Sequence, residues 1–210
     1  MKIAIIGTGD MGGALATALV RRSRHDVSVR GSRPGSPSAI RLARRLGIAE
    51  ANDETLRDAG LVFVVVPWAA LRAASRLLSQ RRGVLVSVVV PWTEGGDPRT
   101  DTVSAAERLA GLLPRATVVN AFTSISSSVL RDPGTGERPS VIVCSDDVKA
   151  RRVVMRLAEE IGFGAVNGGG LRSARPAEGL GLLWASLAYE ARYGERVSFR
   201  VFVPKKRKAR

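Results

Sequence analysis

A glycine-rich turn close to the N-terminus restricts what this chain can fold into. The apolar run Ile3 to Ile6 is followed by Gly7, Gly9 and Gly12 in the spacing G-x-G-x-x-G, and then by a stretch with helical periodicity. At this spacing the first glycine permits a sharp turn, the second lets a pyrophosphate approach the backbone, and the third lets helix and strand pack closely. Free N–H groups at such a helix N-terminus bind phosphate. The sequence therefore predicts a dinucleotide-binding unit rather than a tight turn without a ligand.

The end of the second predicted strand, Val27 to Val29, indicates which dinucleotide is bound. An NAD-selective domain carries Asp or Glu there to bind the ribose hydroxyls. This chain has Arg30-Gly-Ser-Arg33 instead, which offers a hydroxyl and guanidinium groups to a 2′-phosphate and no carboxylate to repel it. A basic loop without a ligand would look the same, but its position favours NADP(H) over NAD(H).

The remaining apolar runs are of strand length and alternate with helical patterns. Leu61–Val66 and Val84–Val90 are apolar throughout, as expected of parallel strands that are covered on both faces. We therefore predict an α/β fold of the Rossmann type, with a doubly wound, mostly parallel sheet. Residues 1–168 would form the NADP-binding domain, and residues 169–210 a helical C-terminal segment that closes the cleft and ends in a basic tail.

Several local predictions accompany this fold. Ser38 is predicted to cap a helix that runs to Leu46, and 173–189 to form one long amphipathic helix. The stretch 197–203 is predicted as a strand, and 93–101 as a polar loop.

Charge and cysteine content limit the partners and the compartment. The net charge is +14, but the arginines are spread over predicted helices, and only 205–210 form a basic cluster, so nucleic acid is not an expected partner. The single cysteine, Cys144, excludes an internal disulfide and is typical of a reducing compartment. The apolar runs are too short to span a bilayer, and the fold begins too early to leave room for a signal peptide. We expect a cytoplasmic protein.

The sequence offers no evident catalytic side chain. The single histidine, His25, lies beside the second strand, and there is no cluster of carboxylates, so neither a metal site nor a Ser-His-Asp arrangement is predicted. Lys2 and Lys149 are both badly placed for a proton donor. A redox enzyme of this kind would catalyse hydride transfer by positioning, with the cofactors supplying the chemistry.

Over nearly its whole length the chain resembles the F420-dependent NADP reductase family, whose members pass hydride between NADP(H) and a deazaflavin. The motifs that carry the resemblance are the opening Ile-Ile-Gly-Thr-Gly-Asp-Met-Gly-Gly, the loop Gly31-Ser-Arg33, the strand ending in Val66-Pro67, Val118-Val-Asn-Ala-Phe-Thr-Ser-Ile-Ser126, and Ser173-Ala-Arg-Pro-Ala-Glu178 followed by Leu-Leu-Trp-Ala-Ser-Leu-Ala.

The resemblance implies a role for residues around both redox partners, and it implies a homodimer. One departure is Thr123, where some members carry His or Asn. With the three glycines of the turn, the implied cofactor-binding set is Gly7, Thr8, Gly9, Asp10, Met11 and Gly12 at the pyrophosphate, Ser32 and Arg33 at the 2′-phosphate, and Val66 and Pro67 behind the nicotinamide. The implied substrate-binding set on the deazaflavin side is Val90, Pro91, Thr123 and Ile125.

Three functions remain open from the sequence. The leading hypothesis is an oxidoreductase that transfers hydride between NADP(H) and coenzyme F420, a small molecule whose phosphodiester and glutamate carboxylates suit a basic protein. The second is an NADPH-dependent reductase of a small organic substrate (an imine, ketone or enone) in secondary metabolism. The third is an NADP-binding protein without catalytic activity.

Overall fold

The computed structural model describes residues 1–92 and 103–204. The predicted loop 93–101 and the basic cluster 205–210 lie outside these described residues. Within the described residues one sheet contains eight strands. They are β1 (Lys2–Ile6), β2 (Asp26–Arg30), β3 (Ala49–Glu50), β4 (Leu61–Val64), β5 (Val84–Ser87), β6 (Thr117–Asn120), β7 (Ser140–Cys144) and β8 (Gly164–Gly169).

The strands lie in the order β3-β2-β1-β4-β5-β6-β7-β8. All neighbours are parallel except β6 and β7, which pair antiparallel through Asn120 and Cys144. Strand order therefore reverses at β1, where open α/β sheets form their ligand crevice. The predicted Rossmann-type fold class is confirmed. The division into 1–168 and 169–210 stays a prediction.

Helices cover both faces of the sheet. They are α1 (Asp10–Arg22), α2 (Pro37–Leu46), α3 (Asp53–Asp58), α4 (Leu71–Leu77), α5 (Ala105–Leu112), α6 (Ser127–Arg131), α7 (Val148–Glu160) and α8 (Ala174–Ala185).

Two apolar layers hold the helices on the sheet. Alternate residues of each strand point to opposite faces, so Ile3 and Ile5 belong to one layer and Ala4 and Ile6 to the other. In the first layer Phe122 makes edge-to-face contacts with Phe63 and Phe163, with ring centroids 6.0 and 6.2 Å apart. Phe122 has a φ of 63°, unusual for a bulky residue, because the chain turns sharply after β6.

The predicted cap of α2 is wrong. Ser36, not Ser38, accepts the capping hydrogen bond, from the backbone N–H of Ala39 at 3.4 Å. Pro37 follows the cap at the first helical position, where a missing N–H has no consequence and a fixed φ suits the helix. The Ser38 hydroxyl instead pairs with Thr8 Oγ1 at 2.8 Å, and so it joins α2 to the glycine turn.

Two predictions for the C-terminal part also need correction. The predicted helix 173–189 is divided into a 3₁₀ turn (Leu171–Ser173), α8 and a π-helical turn (Ser186–Glu190). The predicted strand 197–203 is not formed. Ser140 alone connects this stretch to the sheet, through bonds of 2.9 Å to the Phe199 carbonyl and 3.0 Å from the Val201 N–H, so no ladder extends along it.

Candidate functional site

The three glycines of the opening motif serve different purposes. Gly7 has a φ of +111°, and a Cβ built on it would lie 1.8 Å from the Val65 carbonyl oxygen. A Cβ on Gly12 would lie 2.0 Å from the Gly7 oxygen. A Cβ on Gly9, in contrast, would meet no protein atom within 4 Å. The protein's own packing therefore requires Gly7 and Gly12, whereas the open space beside Gly9 suits a ligand that approaches the backbone.

The N-terminus of α1 meets a carboxylate whose charge is neutralised by an arginine. Gly9 is the N-cap residue and provides no side-chain cap for the first turn. Asp10 follows, and its carboxylate accepts hydrogen bonds from Arg131 and Ser127 of α6. The bond from Arg131, and then the bond from Ser127, hold the pKa of the Asp10 carboxyl below its usual range. The helix N-terminus therefore keeps its attraction for anions.

A first cavity, of about 340 Å³, lies at the carboxyl ends of β1, β2 and β4. We call it the adenosine cavity, after the half of a dinucleotide that the residues at the glycine turn and Ser32 are expected to bind. It brings together six of the predicted cofactor-binding residues. They are Gly7, Thr8, Gly9, Ser32, Val66 and Pro67.

The predicted 2′-phosphate residues are less enclosed than the rest. Arg33 is exposed, does not line the adenosine cavity, and has no hydrogen-bond partner within the described residues. Arg30 is buried and donates to the Ala51 carbonyl and to Asp53, at 2.8 and 3.0 Å, so it is committed to the fold. Glu50 on β3 accepts from the N–H of Gly35 at 2.9 Å, which places a carboxylate beside this loop. This carboxylate could not be placed beside the loop from the sequence, because the two-residue β3 has no periodicity.

A second cavity, of about 320 Å³, lies at the carboxyl ends of β5 and β6. We call it the ring cavity. Asp10 and Met11 line it from α1, and so do the predicted residues Val90, Thr123 and Ile125. Pro91 is buried and does not line it. The other lining residues are Val88, Trp92, Phe122, Ser126, Ser127, Gly181, Trp184, Ala185 and Tyr189.

Most hydroxyl groups near the ring cavity already serve the fold. Thr123 Oγ1 donates to the Ala177 carbonyl at 3.3 Å, which joins the β6 turn to α8. Ser126 caps α6 through the Val129 N–H at 3.2 Å and donates to the Glu195 carbonyl at 2.7 Å. They are therefore poor candidates for proton donors.

Tyr189 is a lining residue that the sequence analysis missed. Its ring makes an edge-to-face contact with Trp184 at 5.7 Å, and its hydroxyl donates to Glu195 Oε1 at 3.3 Å. Burial, and then the Glu195 charge, raise the pKa of the Tyr189 phenol, so it stays protonated at neutral pH. A regular helical periodicity could not have placed this ring, because the chain there follows a π-helical turn.

Glu178 is a second residue that the sequence analysis missed. Its buried carboxyl accepts from the backbone N–H groups of Ala105 and Ala106, at 2.8 and 3.1 Å, and from Asn120 Nδ2 at 3.2 Å. Burial raises its pKa to about 7. Glu178 therefore fixes α8, which carries the lining residues Gly181, Trp184 and Ala185, to the start of α5 and to β6.

Three further features of the described residues concern metal ligation, membrane-spanning helices and the state of the cysteine. Residues 1–92 and 103–204 contain no group of three or more His, Cys, Asp or Glu side chains that could hold a metal ion. In the same residues, no helix is both long and apolar enough to cross a bilayer. Burial raises the pKa of the Cys144 thiol to about 11, so a thiolate is not available at neutral pH.

A glycine-rich turn of the dinucleotide-binding type, next to an apolar cavity, is the arrangement found in Rossmann-type oxidoreductases. Comparison with known proteins shows that this chain is an NADP-dependent oxidoreductase. Residues 2–91 match the model of the family described as "NADP oxidoreductase coenzyme F420-dependent". The family implies NADP(H) and coenzyme F420 as redox partners.

Individual relatives agree with the family model. The F420-dependent NADP reductase of Methanocaldococcus jannaschii is 29% identical over 198 residues, which cover 86% of this chain and 89% of that protein. Metalloreductase STEAP3 of Rattus norvegicus is 34% identical over 183 residues, and these cover 86% of this chain but only 36% of the relative. The chain thus spans about a third of the STEAP metalloreductases that it matches.

A solved structure extends the similarity beyond the matched N-terminal half. A proposed F420-dependent NADP reductase from Arthrobacter sp. FB24 superimposes with a TM-score of 0.81 at 27% identity. The superposition covers 97% of this chain and 100% of that one, so the C-terminal segment with α8 is part of the shared architecture.

Proposed function

We propose that this protein transfers hydride between NADP(H) and the deazaflavin of coenzyme F420. The observation that carries the proposal is the junction at Asp10 and Met11, where the first turn of α1 forms part of the ring cavity. A dinucleotide whose phosphates lie at the start of α1 would extend its nicotinamide toward that cavity. The two bound cofactors would supply the hydride donor and acceptor.

The residues would bind and orient the two rings. On the dinucleotide side, the glycine turn would hold the pyrophosphate, Ser32 and Arg33 the 2′-phosphate, and Val66 and Pro67 would support the nicotinamide half. On the acceptor side, the proposed binding residues are Val90, Pro91, Thr123 and Ile125. Stacked rings react when they are held close and in line, so positioning would supply most of the rate.

The apolar lining would keep water away from the reacting rings. Val88, Phe122 and Ile125 surround the ring cavity from the sheet side, and Trp184 and Ala185 from the C-terminal side. Such surroundings would exclude water from between the two rings and fix the distance between donor and acceptor. Reduction of the deazaflavin also takes up one proton at a ring nitrogen, which solvent would supply, so no side-chain acid is required for this role.

Tyr189 favours a second candidate function, the NADPH-dependent reduction of a small organic imine, ketone or enone. Such a substrate needs a proton as well as a hydride, and a phenol that stays protonated at neutral pH could donate it. The variant Tyr189→Phe separates the two candidates. Turnover with coenzyme F420 should fall by less than about threefold, whereas loss of a general acid typically lowers turnover by roughly 100- to 10,000-fold.

Anaerobic mixing of the protein with NADPH and purified coenzyme F420 tests the proposal directly. We expect the visible deazaflavin band to disappear at a rate proportional to protein concentration, and to return when excess NADP⁺ is added. NADPH oxidation by an organic carbonyl or imine panel, with no change in the deazaflavin band, would instead support the second candidate. NADPH binding without turnover of any acceptor would support the third hypothesis, an NADP-binding protein without catalytic activity.

We also infer a homodimer and a cytoplasmic location. Large apolar side chains are exposed in the C-terminal part of the chain, and an interface between two copies would cover them. They are Leu183, Tyr193, Val201, Phe202 and Val203, with exposed fractions between 45% and 79%. Light scattering at micromolar concentration tests the dimer, since a mass near 22.4 kDa would contradict it.

A further inference from the structure

A third cavity lies beside the glycine turn, on the side of α2 and α6. It has a volume of about 490 Å³ and is open to solvent. Three guanidinium groups line it, those of Arg41 and Arg45 on α2 and of Arg131 on α6, and we call it the arginine groove. The other lining residues are Thr8, Gly9, Asp10, Gly13, Ser38 and Leu42.

The described part of the chain does not balance the positive charge of the arginine groove. Within residues 1–92 and 103–204, neither Arg41 nor Arg45 makes a hydrogen bond or an ion pair, and both are exposed. The Asp10 carboxylate is the acidic lining group, and it is already held by Arg131 and Ser127. Two guanidinium groups are therefore available to bind an anion.

The backbone of α1 adds to the positive potential. A Cβ built on Gly13 would lie 3.9 Å from Arg45 Nη2, so this guanidinium lies against the first turn of α1. The N-terminus of a helix carries a partial positive charge, which makes the position unfavourable for a cation unless an anion is bound nearby. The arrangement therefore favours phosphate or carboxylate groups in the groove.

The arginine groove adjoins both the adenosine cavity and the ring cavity. Thr8, Gly9 and Ser38 line both the groove and the adenosine cavity, and the 2.8 Å contact between the Thr8 and Ser38 hydroxyls lies at the boundary. Neither Arg41 nor Arg45 lines the adenosine cavity. Asp10, in contrast, lines both the groove and the ring cavity. A ligand whose ring occupies the ring cavity could therefore extend an anionic chain past Asp10.

We propose that the arginine groove binds the phosphate- and carboxylate-bearing tail of the second substrate, with Arg41 and Arg45 as the residues that select for it. The identity of that substrate rests on the proposed function, in which coenzyme F420 carries a phosphodiester and glutamate carboxylates. The same anion chemistry could come from the phosphates of NADP(H), and the experiment separates these two sources.

The test compares Arg41→Ala/Arg45→Ala with the charge-matched control Arg44→Ala/Arg21→Ala. Arg44 lies on the same helix but does not line the groove, and Arg21 is exposed at the far end of α1. With coenzyme F420, the groove variant should raise the Michaelis constant about 5- to 30-fold, with turnover within about twofold. The control should change neither value beyond what the general loss of charge produces.

A deazaflavin that lacks the phosphodiester and glutamyl tail provides the second arm. Its Michaelis constant should be the same for the wild type and the groove variant, and higher than that of intact coenzyme F420 for the wild type only. Equal Michaelis constants for the intact and the truncated deazaflavin in the wild type would overturn the proposal while leaving the proposed function in place. A groove variant that loses NADPH affinity, measured by NADPH fluorescence, would assign the groove to the dinucleotide and overturn it as well.

A binding measurement keeps the test independent of the proposed function. If the wild type reduces neither deazaflavin, the proposed function fails, and tripolyphosphate is then titrated into protein saturated with NADP⁺. The groove variant should bind tripolyphosphate at least about 5-fold more weakly than the control variant. Equal binding by the two variants would overturn the groove as an anion site.

Discussion

The adenosine cavity and the ring cavity are built from the sequence in different ways. The glycine turn of the adenosine cavity is one continuous stretch, and its conformation follows from three glycines at fixed spacing. The ring cavity combines residues from 10–11, 88–92, 122–127 and 181–189, which meet only after the sheet and α8 have assembled. Local sequence therefore defines the glycine turn, whereas tertiary packing defines the ring cavity. We call the two proposed sides of the site the dinucleotide half and the acceptor half.

The strongest test of this contrast separates the glycines of the turn from one another. Gly9→Ala should keep the fold, because its Cβ meets no protein atom and its φ of −70° suits alanine, but NADPH binding should weaken at least about 100-fold. Gly12→Ala should instead destabilise the protein by more than about 3 kcal/mol, because its Cβ overlaps backbone. Fluorescence titration and thermal unfolding measure the two effects. A folded Gly9→Ala protein with normal NADPH affinity would show that the turn is only structural.

The buried Glu178 carboxyl should make the acceptor half sensitive to pH. Its pKa is raised in the folded state from 4.5 to about 7, so its contribution to stability is fully present below pH 4.5 and is lost as the pH rises through 7. The shift corresponds to about 3 kcal/mol. Glu178→Gln cannot ionise, so its free energy of unfolding should fall less between pH 5 and pH 8 than that of the wild type. Denaturant titrations at both pH values measure the difference, and parallel pH profiles would contradict the assignment.

Close packing of α8 should matter for the acceptor and not for the dinucleotide. A Cβ on Gly181 would lie 2.3 Å from the Thr123 carbonyl oxygen, whereas a Cβ on Gly179 would meet nothing within 4 Å. Gly181→Ala should displace α8 and lower turnover about 10- to 100-fold, with NADPH affinity within about twofold. Gly179→Ala is the matched control, and it should be neutral or stabilise α8 by about 0.5–1 kcal/mol. Equal loss of NADPH affinity in Gly181→Ala would mean that the two halves are not separable.

The smallest of these effects concerns the 2′-phosphate. Arg33→Ala should weaken NADPH about 10-fold and NADH by less than about twofold, because Arg33 is exposed and its charge is partly screened. Arg24→Ala, an exposed arginine at the opposite end of β2, should leave both affinities unchanged. Loss of both dinucleotides to the same extent in Arg33→Ala would show that another group selects NADP(H).

Features set by local sequence could be predicted, whereas features set by tertiary packing could not. The strands β1, β2, β4 and β5 and the glycine turn could be predicted, because apolar runs and glycine spacing are local signals, whereas the predicted strand 197–203 was wrong. Glu178 and Tyr189 could not, because a glutamate and a tyrosine on a helix resemble ordinary surface residues until α5, β6 and the π-helical turn surround them. Ser36 and Ser38 are the same residue type, and the cap is Ser36 because Pro37 after it suits the first helical position.

The position of Phe122 has a consequence for how related proteins could change their acceptor. Its ring joins β4 to the segment before β8 through Phe63 and Phe163, and the same residue lines the ring cavity. A substitution of Phe122 would change the shape of the ring cavity and the packing of the core together. We therefore do not expect acceptor specificity to change at this position. New acceptor specificities would instead arise through Val90 and Tyr189, which line the ring cavity outside the buried core and can vary while the centre of the sheet is inherited unchanged.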